Sequence, residues 1–306
     1  MKQELSILIP IYNNDCREQV EALSRQAQAI DGLTYEIIVA DDGSDNPPFD
    51  LTTLTNEGTQ EMDNYRELPT LPHVQLIRRE QNVGRAAIRN FLAREASYQW
   101  LLFMDGDMAI PSDDFVKRWV EEDTGLLAYG GYIVGQGESS SLRYIYEKQC
   151  APMHQAEERR KRPFMHFHTC NFMIQRELML AHPFDERFRH YGYEDVLFGK
   201  QLRAAGVTIH HIDNPAGFFE YEDNTHFVSK TEEGLRTLNE FRSDLRGYSQ
   251  MLTFVDGIHI RAIRGLIILW HKLFGAMERK NLCGDSPSLH IFKLYKLGYF
   301  LSLRNG

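Results

Sequence analysis

The chain lacks several features that would place it in large classes of protein. None of its stretches approaches the roughly 20 consecutive apolar residues that a helix needs to cross a bilayer. Four cysteines, Cys16, Cys150, Cys170 and Cys283, are scattered without metal-ligand spacing, so neither a zinc module nor a disulfide framework is expected. Positive charge is in deficit: 34 Lys and Arg against 43 Asp and Glu give a net charge of −9, the wrong sign for a nucleic-acid binder. Internal repeats and low-complexity tracts are absent. The start, Met1-Lys2-Gln3-Glu4, has no signal-peptide layout, and a cytoplasmic protein is expected. Missing too is a glycine-rich turn after the first apolar run, where Tyr12-Asn13-Asn14-Asp15 stands instead. That disfavours a dinucleotide-dependent oxidoreductase and weakens nucleotidyl transfer, which usually needs a Gly-rich basic loop there.

What remains is a chain of globular composition, 306 residues long, enough for one large domain or two modest ones. Residues 5–11 (LSILIPI) form a continuous apolar run, as expected of a strand buried on both faces. A helix is expected over 15–30, where Val20, Leu23, Ala27 and Ile30 fall at helical spacing. Strands are expected at 35–40, 73–77 and 100–104, with a helix at 84–96. The polar stretch 46–70 reads as a surface excursion. Farther on, the pattern gives strands near 126–134, 165–175 and 207–212, and helices near 142–160 and 194–205. From 229 the chain reads as mainly helical. Strands alternating with helices imply right-handed crossovers and a mostly parallel sheet flanked by helices. Ligands bind beyond the carboxyl ends of such strands. Three of those ends are polar: Tyr12-Asn13-Asn14, Asp41-Asp42-Gly43-Ser44 and Asp105-Gly106-Asp107.

Asp105-Gly106-Asp107 sets two carboxylates one residue apart after a buried strand, with Gly106 permitting a tight turn. Oxygen-rich ligation of this kind suits Mn2+ or Mg2+, which keep most positions for phosphate oxygens and water. Tyr12 beside Asp41 and Asp42 suggests a pocket in which a ring stacks on a nucleobase and a carboxylate accepts from its N–H. Gly84 opens a helix, a natural place for anion contacts, with Arg85 and Arg89 on its first turns as phosphate candidates.

The ordered set ILIPIYNN, VADDGS, NVGRAAIRN, MDGD and YGYEDVLFGKQL resembles the family 2 glycosyltransferases over about residues 5–228. The resemblance implies the GT-A fold, a Rossmann-like mixed and mostly parallel sheet flanked by helices, with a helical C-terminal extension. A catalytic domain is then expected at 1–228, its nucleotide-binding half at about 1–110 and its acceptor-side half at about 111–228, followed by the extension at 229–306. It implies an inverting enzyme of hexosyl or N-acetylhexosaminyl type that uses a nucleoside-diphosphate sugar, with UDP as the expected carrier. By position, Pro10, Tyr12 and Asp42 would receive the base, Asp105 the ribose or metal shell, and Asp107 the metal. Asp195 would be the general base and Glu194 its neighbour at the acceptor, with Tyr191, Tyr193 and Asn171 on the acceptor side. One of His210, His211 and His226 would be a further metal ligand. The acceptor would be a glycan or glycolipid, as in polysaccharide assembly. A nucleotidyltransferase, or a non-catalytic carbohydrate-binding relative on the same fold, is the alternative reading.

The C-terminal region mixes apolar clusters at 266–270 and 292–300 with Arg261, Arg264, Lys272, Arg279, Lys280, Lys293 and Lys296. Packing on the catalytic domain or on a second copy is the commoner use of such helices, and is expected here. Peripheral contact with the inner face of a membrane is the other use.

Overall fold

The computed structural model describes residues 1–45 and 71–303, and the excursion expected at 46–70 lies outside them. The first half runs β1 (Glu4–Ile11), α1 (Arg17–Gln28), β2 (Thr34–Asp41), β3 (Val74–Arg78), α2 (Arg85–Glu95) and β4 (Trp100–Met104). Next come α3 (Phe115–Glu121), β5 (Leu127–Tyr129), β6 (Tyr132–Val134), α4 (Leu142–Cys150), α5 (Ala156–Lys161) and β7 (Asn171–Gln175). They are followed by α6 (Arg176–Ala181), α7 (Glu194–Ala204), β8 (His210–His211) and β9 (Ala216–Phe218). Helices close the chain: α8 (Asn224–Glu240), α9 (Arg242–Leu245), α10 (Gln250–Gly257), α11 (Arg261–Leu282) and α12 (Leu289–Ser302).

Seven strands form one sheet in the order β3-β2-β1-β4-β7-β5-β8. Its β3, β2, β1 and β4 are mutually parallel; β7 runs against both β4 and β5, which makes the sheet mixed. The register sets Ile11 opposite Asp41 and Leu8 opposite Phe103, so β1, β2 and β4 end at one edge. β6 and β9 make a small separate parallel pair. Both faces of the central strands are covered. Leu8, Ile38, Leu101 and Phe103 pack towards α2, α7 and α8, while Ile7, Ile9, Val39 and Leu102 pack towards α1 and α3. Each such side chain withdrawn from water contributes about 1.5–3 kcal/mol, which explains why uninterrupted apolar runs become these strands.

Four expectations shift in detail, the strand read at 207–212 being reduced to β8, His210–His211. The strand read at 126–134 is split into β5 and β6 at Gly130-Gly131; Gly131 has φ +83, and a Cβ at Gly130 would lie 2.4 Å from the Asn214 carbonyl oxygen. The helix read at 142–160 breaks into α4, a 3-10 turn at Ala151–His154 holding Pro152, and α5. The strand read at 165–175 begins only at Asn171.

Among the terminal helices, α12 is packed, with Phe292, Tyr295 and Phe300 buried, as expected for 292–300. A Cβ at Gly298 would lie 2.7 Å from the Cβ of His271, so glycine there lets α12 approach α11 closely. At 266–270 no residue is buried against the rest of the chain: the buried residues of α11 are Gly275, Glu278 and Leu282, all in its second half.

Candidate active site

The shared edge of β1, β2 and β4 gathers the polar loops. After β1, Tyr12 keeps its ring exposed and donates its hydroxyl to Asp45 at 2.8 Å, while the Asn13 N–H donates to Ser44 Oγ at 2.8 Å. Pro10 closes the same strand, opposite Ala40 of β2. After β2, buried Asp42 accepts the backbone N–H of Val83 (3.1 Å) and of Gly84 (3.0 Å), tying the loop before α2 to the edge. Burial raises the Asp42 carboxyl above its usual range; those two N–H donors and Arg79 oppose the rise. Gly84 has φ +90, and a Cβ there would stand 3.0 Å from the Arg189 carbonyl oxygen, so α2 starts where only glycine fits comfortably.

Beyond β4, Asp105 and Asp107 flank Gly106, whose Cβ would lie 2.5 Å from Ile11 and 2.8 Å from the side-chain nitrogen of Asn14. This loop is therefore wedged against the end of β1. Asp107 opens to solvent at its outer surface. Enclosure by the surrounding protein, with the charge of Asp105, holds its carboxyl above the usual range, while Arg85 and Lys230 pull it down. Two carboxylates one residue apart at the end of a buried strand are the kind of oxygen donors that suit a divalent cation. Among the described residues no three His, Cys, Asp or Glu side chains converge on one point.

Arg89, expected at the phosphates, has another position. Its side chain is only 1 % exposed, and it spans Asp105 (2.6 Å) and Glu194 (3.3 Å). The guanidinium thus ties the acidic loop to the start of α7, and is not free for a ligand. Arg85, one turn earlier on α2, stays exposed; burial opposes its charge, but Asp105 and Glu194 outweigh that and keep it firmly protonated.

Glu194 and Asp195 titrate in opposite directions. Burial and the charge of Asp195 raise the Glu194 carboxyl, against Arg89 and Arg85. Burial also opposes ionisation of Asp195, but the hydrogen bond and charge of His168, the Val196 N–H and Arg89 outweigh it, and the carboxyl ends below its usual range. His168 Nδ1 lies 3.2 Å from Asp195 Oδ2. Sequence reading did not single out His168; its only signal is its position just before β7. Lys230 was missed as well. It projects from α8, with its ammonium 4.9 Å from the centre of the Tyr191 ring, whose other neighbour is the Arg85 guanidinium at 5.0 Å.

Other expected residues fall elsewhere. Asn171 is fully buried, and its amide donates to the carbonyls of Gly131 (2.9 Å) and Asn214 (2.8 Å), so it holds loops together and does not face an acceptor. Tyr191 is flanked by two cations, and Tyr193 precedes α7 in the left-handed region, φ 70, partly buried against the core. His210 packs its ring against Gly125, which precedes β5 and lies at the opposite end of the sheet from Asp105. Both ring nitrogens of His211 are engaged, by Arg159 (3.1 Å) and by the Pro163 carbonyl (3.0 Å), and burial with Arg159 lowers its pKa to about 4. A neutral ring with no free lone pair cannot ligate a metal. His226 is exposed on α8, one turn before Lys230 and on the same helix face.

With this geometry established, comparison with known proteins gives concordant results. The family model described as glycosyl transferase family 2 matches residues 6–181. A dolichol-phosphate mannosyltransferase of Pyrococcus furiosus is 34% identical over 117 residues, 37% of this chain and 28% of that protein. A chondroitin synthase of Escherichia coli is 25% identical over 260 residues, 71% of this chain and 34% of that protein. The chain thus spans about a third of the length of these curated relatives or less. Among solved structures, a mannosyltransferase of Pyrobaculum calidifontis in complex with GDP-Man and Mn2+ superposes with a TM-score of 0.54 at 12% identity, covering 98% of this chain and 85% of that one. The S. aureus TarS fragment 1–349 in complex with UDP gives 0.50 at 16% identity, covering 99% and 90%. These likenesses establish the GT-A fold.

Proposed function

The chain belongs to glycosyl transferase family 2, and we propose that it moves a hexose or N-acetylhexosamine from a nucleoside-diphosphate sugar to a hydroxyl of a saccharide or lipid-linked acceptor. The observation that carries this reading is the Arg89 bridge, 2.6 Å to Asp105 and 3.3 Å to Glu194. Through one buried guanidinium, the loop suited to a diphosphate is tied to the acidic start of α7.

On this reading Tyr12 stacks on the base, with uracil the expected one, and Asp42 accepts from the base edge, with Pro10 and Gly84 shaping the wall. Asp105 and Asp107 hold Mn2+ or Mg2+, which when bound neutralises charge developing on the departing diphosphate. Arg85 and Lys230 meet the remaining phosphate charge. Asp195, kept ionised with the help of His168, takes the proton of the acceptor hydroxyl. As that oxygen bonds to the anomeric carbon, the bond from the carbon to the diphosphate oxygen breaks and its electron pair leaves with the nucleoside diphosphate. Attack from the face opposite the leaving group inverts the configuration. The names of the relatives, a dolichol-phosphate mannosyltransferase and a chondroitin synthase, support a lipid-linked or glycan acceptor, and so a role in polysaccharide or glycolipid assembly.

The test is incubation of the protein with Mn2+, a panel of UDP- and GDP-sugars, and candidate acceptors. Release of nucleoside diphosphate that depends on metal is the expected result. Release of pyrophosphate would indicate nucleotidyl transfer instead, and sugar binding without any turnover would indicate a non-catalytic relative.

A further inference from the structure

The chain as a whole is acidic, yet α11 carries five basic residues, Arg261, Arg264, Lys272, Arg279 and Lys280, against one acidic residue, Glu278. Glu278 is buried and accepts the Trp270 indole N–H at 2.8 Å. Arg279 pairs with Glu232 at 2.9 Å, and Arg264 donates to the carbonyls of Ile258 and Val255. Among the described residues, Arg261, Lys272 and Lys280 form no ion pair. Beside these cations, Ile263, Leu266, Trp270, Leu273 and Met277 recur at spacings of three and four, which draws one apolar stripe along the helix. The stripe faces water: Leu266 is 65% exposed, Leu273 65% and Met277 68%. Phe254 and Ile260, just before the helix, are each 60% exposed. A stripe of this extent marks an interaction surface.

Three kinds of occupant can be weighed by charge and length. No described helix is long and apolar enough to cross a membrane, so α11 does not span one. Pairing with a second copy would set two cationic helices face to face, at an electrostatic cost. An anionic bilayer surface satisfies both halves of the helix. The apolar stripe enters the boundary between headgroups and acyl chains, and the cations meet lipid phosphates. Trp270, an amphipathic ring, is of the type that settles at that depth. We infer that α11 is an interfacial anchor that docks this domain on an anionic membrane surface. The inference is independent of the catalytic reading, because docking needs no turnover.

Co-sedimentation tests it, with the purified chain mixed with vesicles of phosphatidylcholine alone or with added phosphatidylglycerol. The protein should pellet with the anionic vesicles, little with the neutral ones, and be released by high salt. Leu266→Asp combined with Leu273→Asp should lower the partition by more than about tenfold. Lys272→Gln should lower it roughly fivefold on anionic vesicles only. Thermal unfolding checks that the double variant is folded; if it is not, Lys272→Gln and the salt series decide. Protein that stays in the supernatant with both vesicle types would overturn the inference. So would a dimer that the two aspartates dissociate, since the stripe would then belong to a second copy.

Discussion

At the edge where β1, β2 and β4 end, charged side chains are buried; along the first half of α11, apolar side chains are exposed. Both invert the usual partition of residues, and each inversion carries its own compensation. Arg89 is enclosed, but two carboxylates accept from it. The α11 stripe lies open, but cations border it and Gly275, Glu278 and Leu282 hold the other side of the helix. The buried inversion is offset by partners within the chain, whereas the exposed one calls for something outside it. That contrast sets where substitution should be costly and where it should be tolerated.

The largest stability effect should come from breaking the buried bridge. Arg89→Met removes the buried cation between Asp105 and Glu194, leaving only the exposed Arg85 to offset Glu194, and should cost about 3–5 kcal/mol in urea unfolding. Adding Glu194→Gln should recover part of that loss; a loss under about 1 kcal/mol would mean the bridge does not hold the two centres together.

Next comes His211. Its folded pKa of about 4 is depressed below the ordinary histidine value of 6.5. The unfolded chain therefore binds a proton first, and stability should fall as pH drops below about 6.5, levelling off below about 4. The predicted loss is on the order of 3 kcal/mol, and His211→Asn should flatten that part of the pH–stability curve.

A smaller effect is expected at His168. Without its hydrogen bond the Asp195 carboxyl should rise, moving the acid limb of the kcat profile to higher pH, and kcat should fall about tenfold. His168→Asn, which can still donate, should restore part of the rate; a purely structural role would leave the pH profile unmoved.

The smallest stability effect belongs to α11. Leu266→Asp should change unfolding stability by less than about 0.5 kcal/mol, because its side chain is largely exposed. Phe292→Ala on packed α12 should cost about 3–5 kcal/mol. Similar costs at the two positions would erase the contrast between the helices.

The sheet was legible because a strand buried on both faces must be apolar throughout, and 5–11 and 100–104 have few other ways to fold. Meeting of the polar loops at one edge followed from parallel pairing. Arg89 was not legible in the same way. A helical arginine usually faces water, and its partner Glu194 stands 105 residues away. Asn171 misled for the opposite reason: a polar residue at a strand start looks like a ligand group until its backbone partners are seen. The break at Gly130-Gly131 was written in the glycines and overridden by the surrounding apolar residues. On α11 the apolar spacing was readable, but spacing alone does not distinguish a packed stripe from one without a partner.

The central claim is that Asp107 serves donor binding while Asp195 serves proton transfer within one cleft. Titrating Mn2+-dependent nucleotide binding alongside turnover, in Asp107→Ala and Asp195→Asn, tests it most directly. Asp107→Ala should lose metal-dependent nucleotide binding and turnover together. Asp195→Asn should bind nucleotide as the unaltered protein does while losing about 10²–10⁴ in kcat. Normal transfer by Asp195→Asn, or equal loss of nucleotide binding in both variants, would contradict the account.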